Sequence, residues 1–277
     1  MTVFTIRPFA TIEEYRACVD LQEDTWGRGF SERVSPAILK VAQILGGVSA
    51  GAWDDEGRLV GFVFGMTRLR DGEVVHWSDM LAVRPELRDS GLGRRLKAYQ
   101  RDDVLSRGVE KMFWTFDPLR SRNAHLNVTR LGAVVREYQK NMYGDTDSPL
   151  HQGIGTDRMI ALWQLPSERV AERLAALSAP GSRPPVPFAD GPSALSATTD
   201  EEHPRPGEPD TTLGNDTVHV AIPSDVGTLM SDDLGLAVAW REATRAVFDH
   251  YLSSGYEVRE FRRGPPVSTY LLARITG

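Results

Sequence analysis

The chain has 277 residues, 41% hydrophobic and 25% charged, enough to bury one good core and a second, smaller one. Its formal net charge of -6 gives no general basic footprint of the kind that nucleic-acid or anionic-membrane binding requires, so any bound anion must be held locally. The single cysteine, Cys18, excludes an intramolecular disulfide framework and a thiolate metal cluster; no run approaches the roughly 20 apolar residues of a membrane span, and MTVFTIRPFA lacks the pattern of a secretory signal, which makes the cytoplasm the simplest location.

In chain order, Phe4 to Arg7 reads as a strand and Thr11 to Thr25 as a helix that places Cys18 among apolar neighbours. Ser35 to Leu45 reads as a second helix, with Pro36 in its first turn. Val48 to Trp53 and Leu59 to Arg68 are strands joined by the polar turn Asp54-Asp55-Glu56-Gly57, and Glu73 to Val83 is a third. Gly91 to Ser106 reads as a helix, Lys111 to Phe116 as a strand, Asn123 to Leu131 as a helix, and Ala133 to Tyr138 and Arg158 to Leu165 as strands. The order is mixed α/β (α+β), a strand meander followed by a βαβ crossover. From 178 to 215 eight prolines stand among Gly, Ser, Thr and acidic residues, which predicts a linker or an irregular surface crossing. The expected division is 1–166, a linker over 167–215, and 216–277.

The most informative segment is Leu81 to Arg94, LAVRPELRDSGLGR, where an apolar strand ends at Val83 and a glycine-containing turn opens a helix. The first amides of a helix have no intrahelical acceptor and lie at the positive end of its dipole, which makes this turn an anion site. Gly91 and Gly93 let the backbone approach a phosphate. Neither GxGxxG nor a P-loop is present, so neither a dinucleotide fold nor an NTPase follows, and a plain tight turn is the bland alternative.

Arg88-Asp89-Ser90-Gly91-Leu92-Gly93 resembles the R/Q-x-x-G-x-G/A signature of the GNAT superfamily of acyltransferases, lying as there between the fourth strand and the third helix. The resemblance continues through WTFDPLRSRNAHLNVTRLG and covers roughly Thr2 to Leu165; WTFDPL, RNAHLN, LGA and TDR also resemble a branch of GNAT proteins with a C-terminal extension. It implies a mixed central sheet flanked by helices. It also implies acetyl-CoA or another acyl-CoA as cosubstrate, with no metal: amides of Arg88, Asp89, Ser90, Gly91, Leu92, Gly93 and Arg94 on the pyrophosphate, and the main chain of Leu81, Ala82 and Val83 along the pantetheine. Asn123 matches an asparagine that helps to hold the same arm, and Trp114 to Asp117 would form the opposite lip of a cleft between splayed strands four and five.

The implied chemistry is attack of a neutral amine on a thioester, with the oxyanion held by a strand-four amide. Strict alternation puts Trp77, Asp79, Leu81 and Val83 on one face of their strand and His76, Ser78 and Met80 on the other. Asp79 is therefore the first candidate base. His76 has the better intrinsic pKa, near 6.5, and the wrong parity unless a bulge re-aims it. Where the family often has a tyrosine acid this chain has Val128, which leaves His125, Asn127, Tyr143 or solvent.

Val218 to Ile222 reads as a strand, Asp233 to Ser253 as a helix with an apolar stripe of Leu236, Trp240, Ala243, Val247 and Tyr251, and Thr269 to Ile275 as a strand. Ser254 to Phe261 echoes Leu131 to Tyr138, sharing Gly, Val, Arg, Glu and an aromatic at matching offsets, so the tail reads as a half-GNAT repeat of helix, strand, strand. It must pack on the first unit or on a second subunit, and a homodimer with exchanged tails fits the linker's length. Weak base candidates favour an α-amine, pKa near 8, over lysine near 10.4. Arg28, Arg68, Arg122 or Arg158 could grip a substrate carboxylate or a succinyl group. Some relatives of this layout resemble N-acyl or N-succinyl amino-acid transferases, which makes a small amino-acid-like amine the expected partner. A catalytically inert CoA-binding sensor and a partner-binding protein whose turn binds nothing are the alternatives.

Overall fold

The computed structural model describes residues 4–28, 30–88, 90–144, 153–176, 188–199 and 202–275. The chain divides into two compact units: Met1–Trp114 with Gln164–Pro166, and Thr115–Trp163 with Ser167–Gly277. This division cuts across the expected one, because the tail is compact with the segment that follows Trp114.

In the first unit, β1 (Thr5–Pro8), β2 (Val48–Trp53), β3 (Leu59–Arg70), β4 (Glu73–Val83) and β5 (Lys111–Phe116) lie side by side in chain order. The first four pair antiparallel, and β5 joins β4 in parallel after the crossover helix. Helix α1 (Ile12–Trp26) starts where the Thr11 side chain accepts the Glu14 amide, and α2 (Pro36–Ile44) where Ser35 caps Ile38. Tyr15, Cys18 and Leu21 of α1 and Leu39 and Ala42 of α2 bury one face of the sheet with Phe62, Phe64, Met80 and Ala82. Cys18 is a core residue: burial pushes its thiol up to about 12, and the Gln22 amide donates to it. Helix α3 (Leu92–Leu105) covers the opposite face, where its Leu96 lies against Gly61 of β3.

In the second unit the strands run β7 (Arg158–Gln164), β6 (Val134–Gln139), β12 (Tyr256–Arg262), β13 (Val267–Arg274), β11 (Thr217–Pro223) and β8 (Ser193–Leu195). A short α4 (Ser121–Ala124) runs into a π-helical turn over His125–Arg130, where the Leu131 amide reaches back to the Leu126 carbonyl. The helix expected from Asn123 to Leu131 is thus present but widened. Helix α5 (Glu168–Ala176) occupies the start of the expected linker; Val170 packs inward, and Arg169 and Arg173 bind the buried Glu260. Downstream, β9 (Ala197–Thr198) pairs with β10 (Arg205–Pro206), the Trp240 indole donates to the Pro204 carbonyl, and Tyr251 donates to Asp210. The described part of the Pro-rich stretch therefore accepts hydrogen bonds from the apolar stripe of the helix Leu234–Ser253. Composition hid this, because carbonyls, unlike proline nitrogens, remain available.

The tail folds as a strand β11, a short α6 (Val226–Asp232), and then the expected helix, strand, strand: α7 (Leu234–Ser253), β12 and β13. Leu236, Trp240, Ala243, Val247 and Tyr251 are all buried. β12 pairs antiparallel with β6, so the repeat packs on its own chain.

Candidate functional site

The turn after β4 is built step by step. A 3-10 turn over Pro85–Leu87 ends with Arg88 donating to Pro85 O, and Ser90 Oγ donates to Leu87 O at 2.7 Å. Gly91 then adopts φ 84°, ψ 2°, a left-handed conformation that opens α3. A Cβ there would lie 3.1 Å from the Arg94 guanidinium, a flexible group that can give way, so it is the positive φ that requires glycine. The first intrahelical bond at this end is Arg95 N to Gly91 O; the Leu92 and Gly93 amides precede it, with only a 3.3 Å contact from Leu92 N to Ser90 Oγ. Gly93 lies against Leu81 and Val83, so the helix start is seated directly on the end of β4. Arg88 and Ser90 are exposed, and Asp89 lies outside the described residues. The segment fits an anionic pyrophosphate: it offers amides, a glycine in place of a side chain, and two arginines.

β4 carries the correction. Phe64 pairs with Met80 and Gly65 with Ser78, so Asp79 is the extra residue of a β-bulge. Alternation is broken at that point. His76 and Ser78 bond to α3 residues, Leu81 and Val83 also touch α3, and Met80 and Ala82 sit in the core against α1 and α2. Trp77 and Asp79 therefore do not share the face of Leu81 and Val83. Asp79 accepts from Trp77 Nε1 at 3.3 Å and keeps solvent access, yet enough protein surrounds its carboxyl to raise its pKa, the indole bond opposing that rise.

His76 is re-aimed, but into the interior. It is fully buried, its Nδ1 3.0 Å from Thr67 Oγ1 and its Nε2 3.0 Å from Gln100 Nε2. Thr67 spends its hydroxyl proton on Gly46 O, and the Gln100 amide nitrogen can only donate, so the proton sits on Nδ1. Burial, with Lys97 and Arg107 nearby, pushes His76 down to about 3. A Cβ at Gly65 would lie 2.3 Å from His76 Nε2, which shows that glycine was needed to admit the ring. His76 is a neutral structural residue, not a poised base. The chain continues as Ser78 Oγ donating to Gln100 Oε1 and Lys97 Nζ donating to Ser78 Oγ, both at 2.7 Å. Lys97 is buried, 3.9 Å from the centroid of the Trp114 ring. Sequence reading missed it, since a lysine within an amphipathic helix ordinarily points to water.

β4 and β5 stay paired only through Val75–Lys111, His76–Met112 and Trp77–Phe113. Among the described residues the Cα pairing of β4 with β5 ends at Trp77–Phe113, whereas Leu81, Ala82 and Val83 remain paired with β3. Residues 15–132 match the sequence profile of the acetyltransferase (GNAT) family. This segment is a GNAT acetyltransferase domain. No curated protein matches the chain. Among solved structures, the chain is similar to the ribosomal-protein-S18-alanine N-acetyltransferase of Escherichia coli (19% identity, 59% of this chain and 94% of that one, TM-score 0.46). It is also similar to a GNAT phosphinothricin acetyltransferase of Sinorhizobium meliloti in complex with acetyl-CoA (18%, 57% and 86%, 0.46) and to a GNAT-family acetyltransferase of Streptococcus pneumoniae (16%, 58% and 98%, 0.46).

Asn123, His125, Asn127, Val128, Tyr143 and Arg158 lie in the second unit. Asn123 is exposed on α4, Val128 is fully buried, and Asn127 is buried with its carbonyl accepting from Ala133 N. Tyr143 is half exposed, 3.0 Å from Thr115 Oγ1, with the Arg158 guanidinium 5.2 Å from its ring centroid; His125 is half-buried. Arg28, Arg68 and Arg122 are exposed. No group of three or more His, Cys, Asp or Glu among the described residues is placed to hold a metal ion, and no helix among them is long and apolar enough to cross a membrane.

Proposed function

We propose that the chain is an acyl-CoA-dependent N-acyltransferase that transfers an acetyl or succinyl group to a primary amine on a small, amino-acid-like substrate. The observation that carries this reading is the end of β4–β5 pairing at Trp77–Phe113, directly ahead of a helix opened by left-handed Gly91. A strand edge without its partner and a set of helix-start amides lie along one element, which suits a ligand with a pyrophosphate at one end and an amide-bearing arm at the other. In this reading Arg88, Ser90, Gly91, Leu92, Gly93 and Arg94 hold the pyrophosphate, and Leu81 to Val83 hold the arm. Acyl-CoA supplies an activated thioester carbonyl.

Asp79 takes the proton of the attacking amine, directly or through water. Its raised pKa makes it a stronger base than an ordinary carboxylate, and its solvent access lets the proton leave. This reading assigns a β4 amide beside the bulge at Asp79 to the developing oxyanion. Titrating the protein with CoA by calorimetry, then offering amino acids and polyamines with acetyl-CoA and succinyl-CoA while following free thiol, tests the reading. CoA binding without turnover of any amine would favour an inert CoA-binding module; no CoA binding would reject both.

A further inference from the structure

Lys97 is the buried group that the proposed chemistry leaves unused. Its four methylenes and its amine are enclosed, it is 3% exposed, and no carboxylate pairs with it among the described residues. Its position is specific. Ser78, which accepts from Nζ, and Trp114, whose ring lies under Nζ, are the first residues beyond the last Cα pair of β4 and β5, Trp77–Phe113. The amine therefore sits at the vertex where the two strands part, on the α3 side.

The hydrogen bonds around it run one way. Lys97 donates to Ser78, Ser78 to Gln100, Gln100 to His76, His76 to Thr67, and Thr67 to the Gly46 carbonyl. Nothing in that series donates to Lys97. An ammonium has three N–H donors; Ser78 takes one, the Trp114 face takes another electrostatically, and the third is left for a group entering the vertex. The facing groups from β4 are Ser78 and neutral His76, and from β5 the Trp114 ring; Asp79 lies on the other side of β4 with Trp77. Burial without an acidic partner brings Lys97 down to about 7, so both protonation states are populated at neutral pH.

On the acyl-CoA reading, an arm that starts at the α3 turn and follows β4 backward from Val83 brings its thioester to the level of Ser78 and Asp79. We propose that Lys97 is the proton donor to the sulfur as CoA leaves. The amine nitrogen forms its bond to the acyl carbon and the carbon–sulfur bond breaks, its electron pair passing to sulfur. The Lys97 ammonium gives a proton to that sulfur and becomes a neutral amine, which regains a proton from solvent, while the proton lost by the substrate amine leaves through Asp79. This inference rests on the CoA reading and adds the acid to it.

The test compares binding of CoA and of desulfo-CoA, which lacks the thiol, by the wild-type protein between about pH 6 and 9, the range that spans a buried lysine near 7 and a free thiol near 8.5. The state that the transfer leaves, a neutral Lys97 amine accepting from a protonated thiol, forms without net proton exchange only between those two values. Preference for CoA over desulfo-CoA should therefore pass through a maximum there, about tenfold or more. In a folded Lys97→Met protein, desulfo-CoA should bind as before, with the maximum gone. Equal affinity for the two ligands at every pH in the wild type, or an unchanged maximum in the Met variant, overturns the inference alone. Failure of the wild type to bind either ligand overturns the CoA reading and this inference with it.

Discussion

Val135 of β6 and Val258 of β12 stand opposite each other as the Cα pair that joins these two antiparallel strands. They are also equivalent positions of the sequence echo, each three residues after a left-handed glycine, Gly132 at φ 75° and Gly255 at φ 84°. Each strand has its bulge one residue later: Arg136 is the extra residue between Val135 and Glu137, and Arg259 between Val258 and Glu260. Two copies of one motif thus meet antiparallel, each against the other's most similar residue. The match is not symmetric in charge, because both arginines bind the buried Glu257.

This contact predicts the fate of the isolated tail. A fragment from Asn215 to Gly277 keeps α7, β12 and β13 but loses β6. It also strands Arg241, whose Nη2 holds both oxygens of Asp117 at 2.8 Å, and Glu260, held by Arg169 and Arg173. Leaving a buried charge without its partner costs about 3–5 kcal/mol, more than a unit of this size can spare. The fragment should show no cooperative thermal transition, and removing the tail should aggregate the remainder. A cooperative melt of the fragment, with full activity in residues 1–166, would mark the tail as an independent module.

Gly91→Val should weaken CoA binding at least tenfold, about 1.4 kcal/mol, because the side chain strains a left-handed residue and presses on Arg94. Calorimetric titration of a variant shown to be folded by circular dichroism measures this directly, and an unchanged affinity contradicts the pyrophosphate site.

Asp79→Asn should lower kcat/KM by about 10² and spare CoA affinity, and the wild-type rate should fall with decreasing pH through a pKa above the ordinary aspartate value. His76→Ala should act differently. It leaves Thr67 and Gln100 with unmet polar atoms in the interior, costing about 1–3 kcal/mol in an unfolding titration, with kcat nearly retained in the folded fraction. If His76→Ala abolished turnover without loss of stability, the structural role given to it here would be wrong.

Lys97 should make stability rise with pH. Its folded-state value is depressed to about 7 while the unfolded chain holds a lysine near 10.4, so between these the unfolded state binds more protons and unfolding becomes harder as pH increases. The limiting slope is about 1.4 kcal/mol per pH unit. Comparing urea unfolding of the wild type and Lys97→Met at several pH values should show this slope in the wild type only. Parallel curves would mean that Lys97 is not buried as a neutral amine.

The residues alone determined the order of strands and helices from Phe4 to Leu165, the glycine turn ahead of α3, and the echo between the two halves of the second unit, because each rests on local rules: apolar period, capping residues, and the need for glycine where φ is positive; α5, α6 and β8 to β10 were not legible in composition. They also placed Asp79, His76 and the turn residues on one strand–turn–helix. Which way His76, Asp79 and Lys97 point was decided by tertiary structure. One extra residue at position 79 inverts the alternation of β4, and period-two reasoning has no means of seeing an unpaired residue before the register with β3 is known. Lys97 turned inward because Gly65 and the parting of β4 from β5 left room for Ser78, Gln100 and Trp114 to enclose it, a space created by residues distant in the sequence.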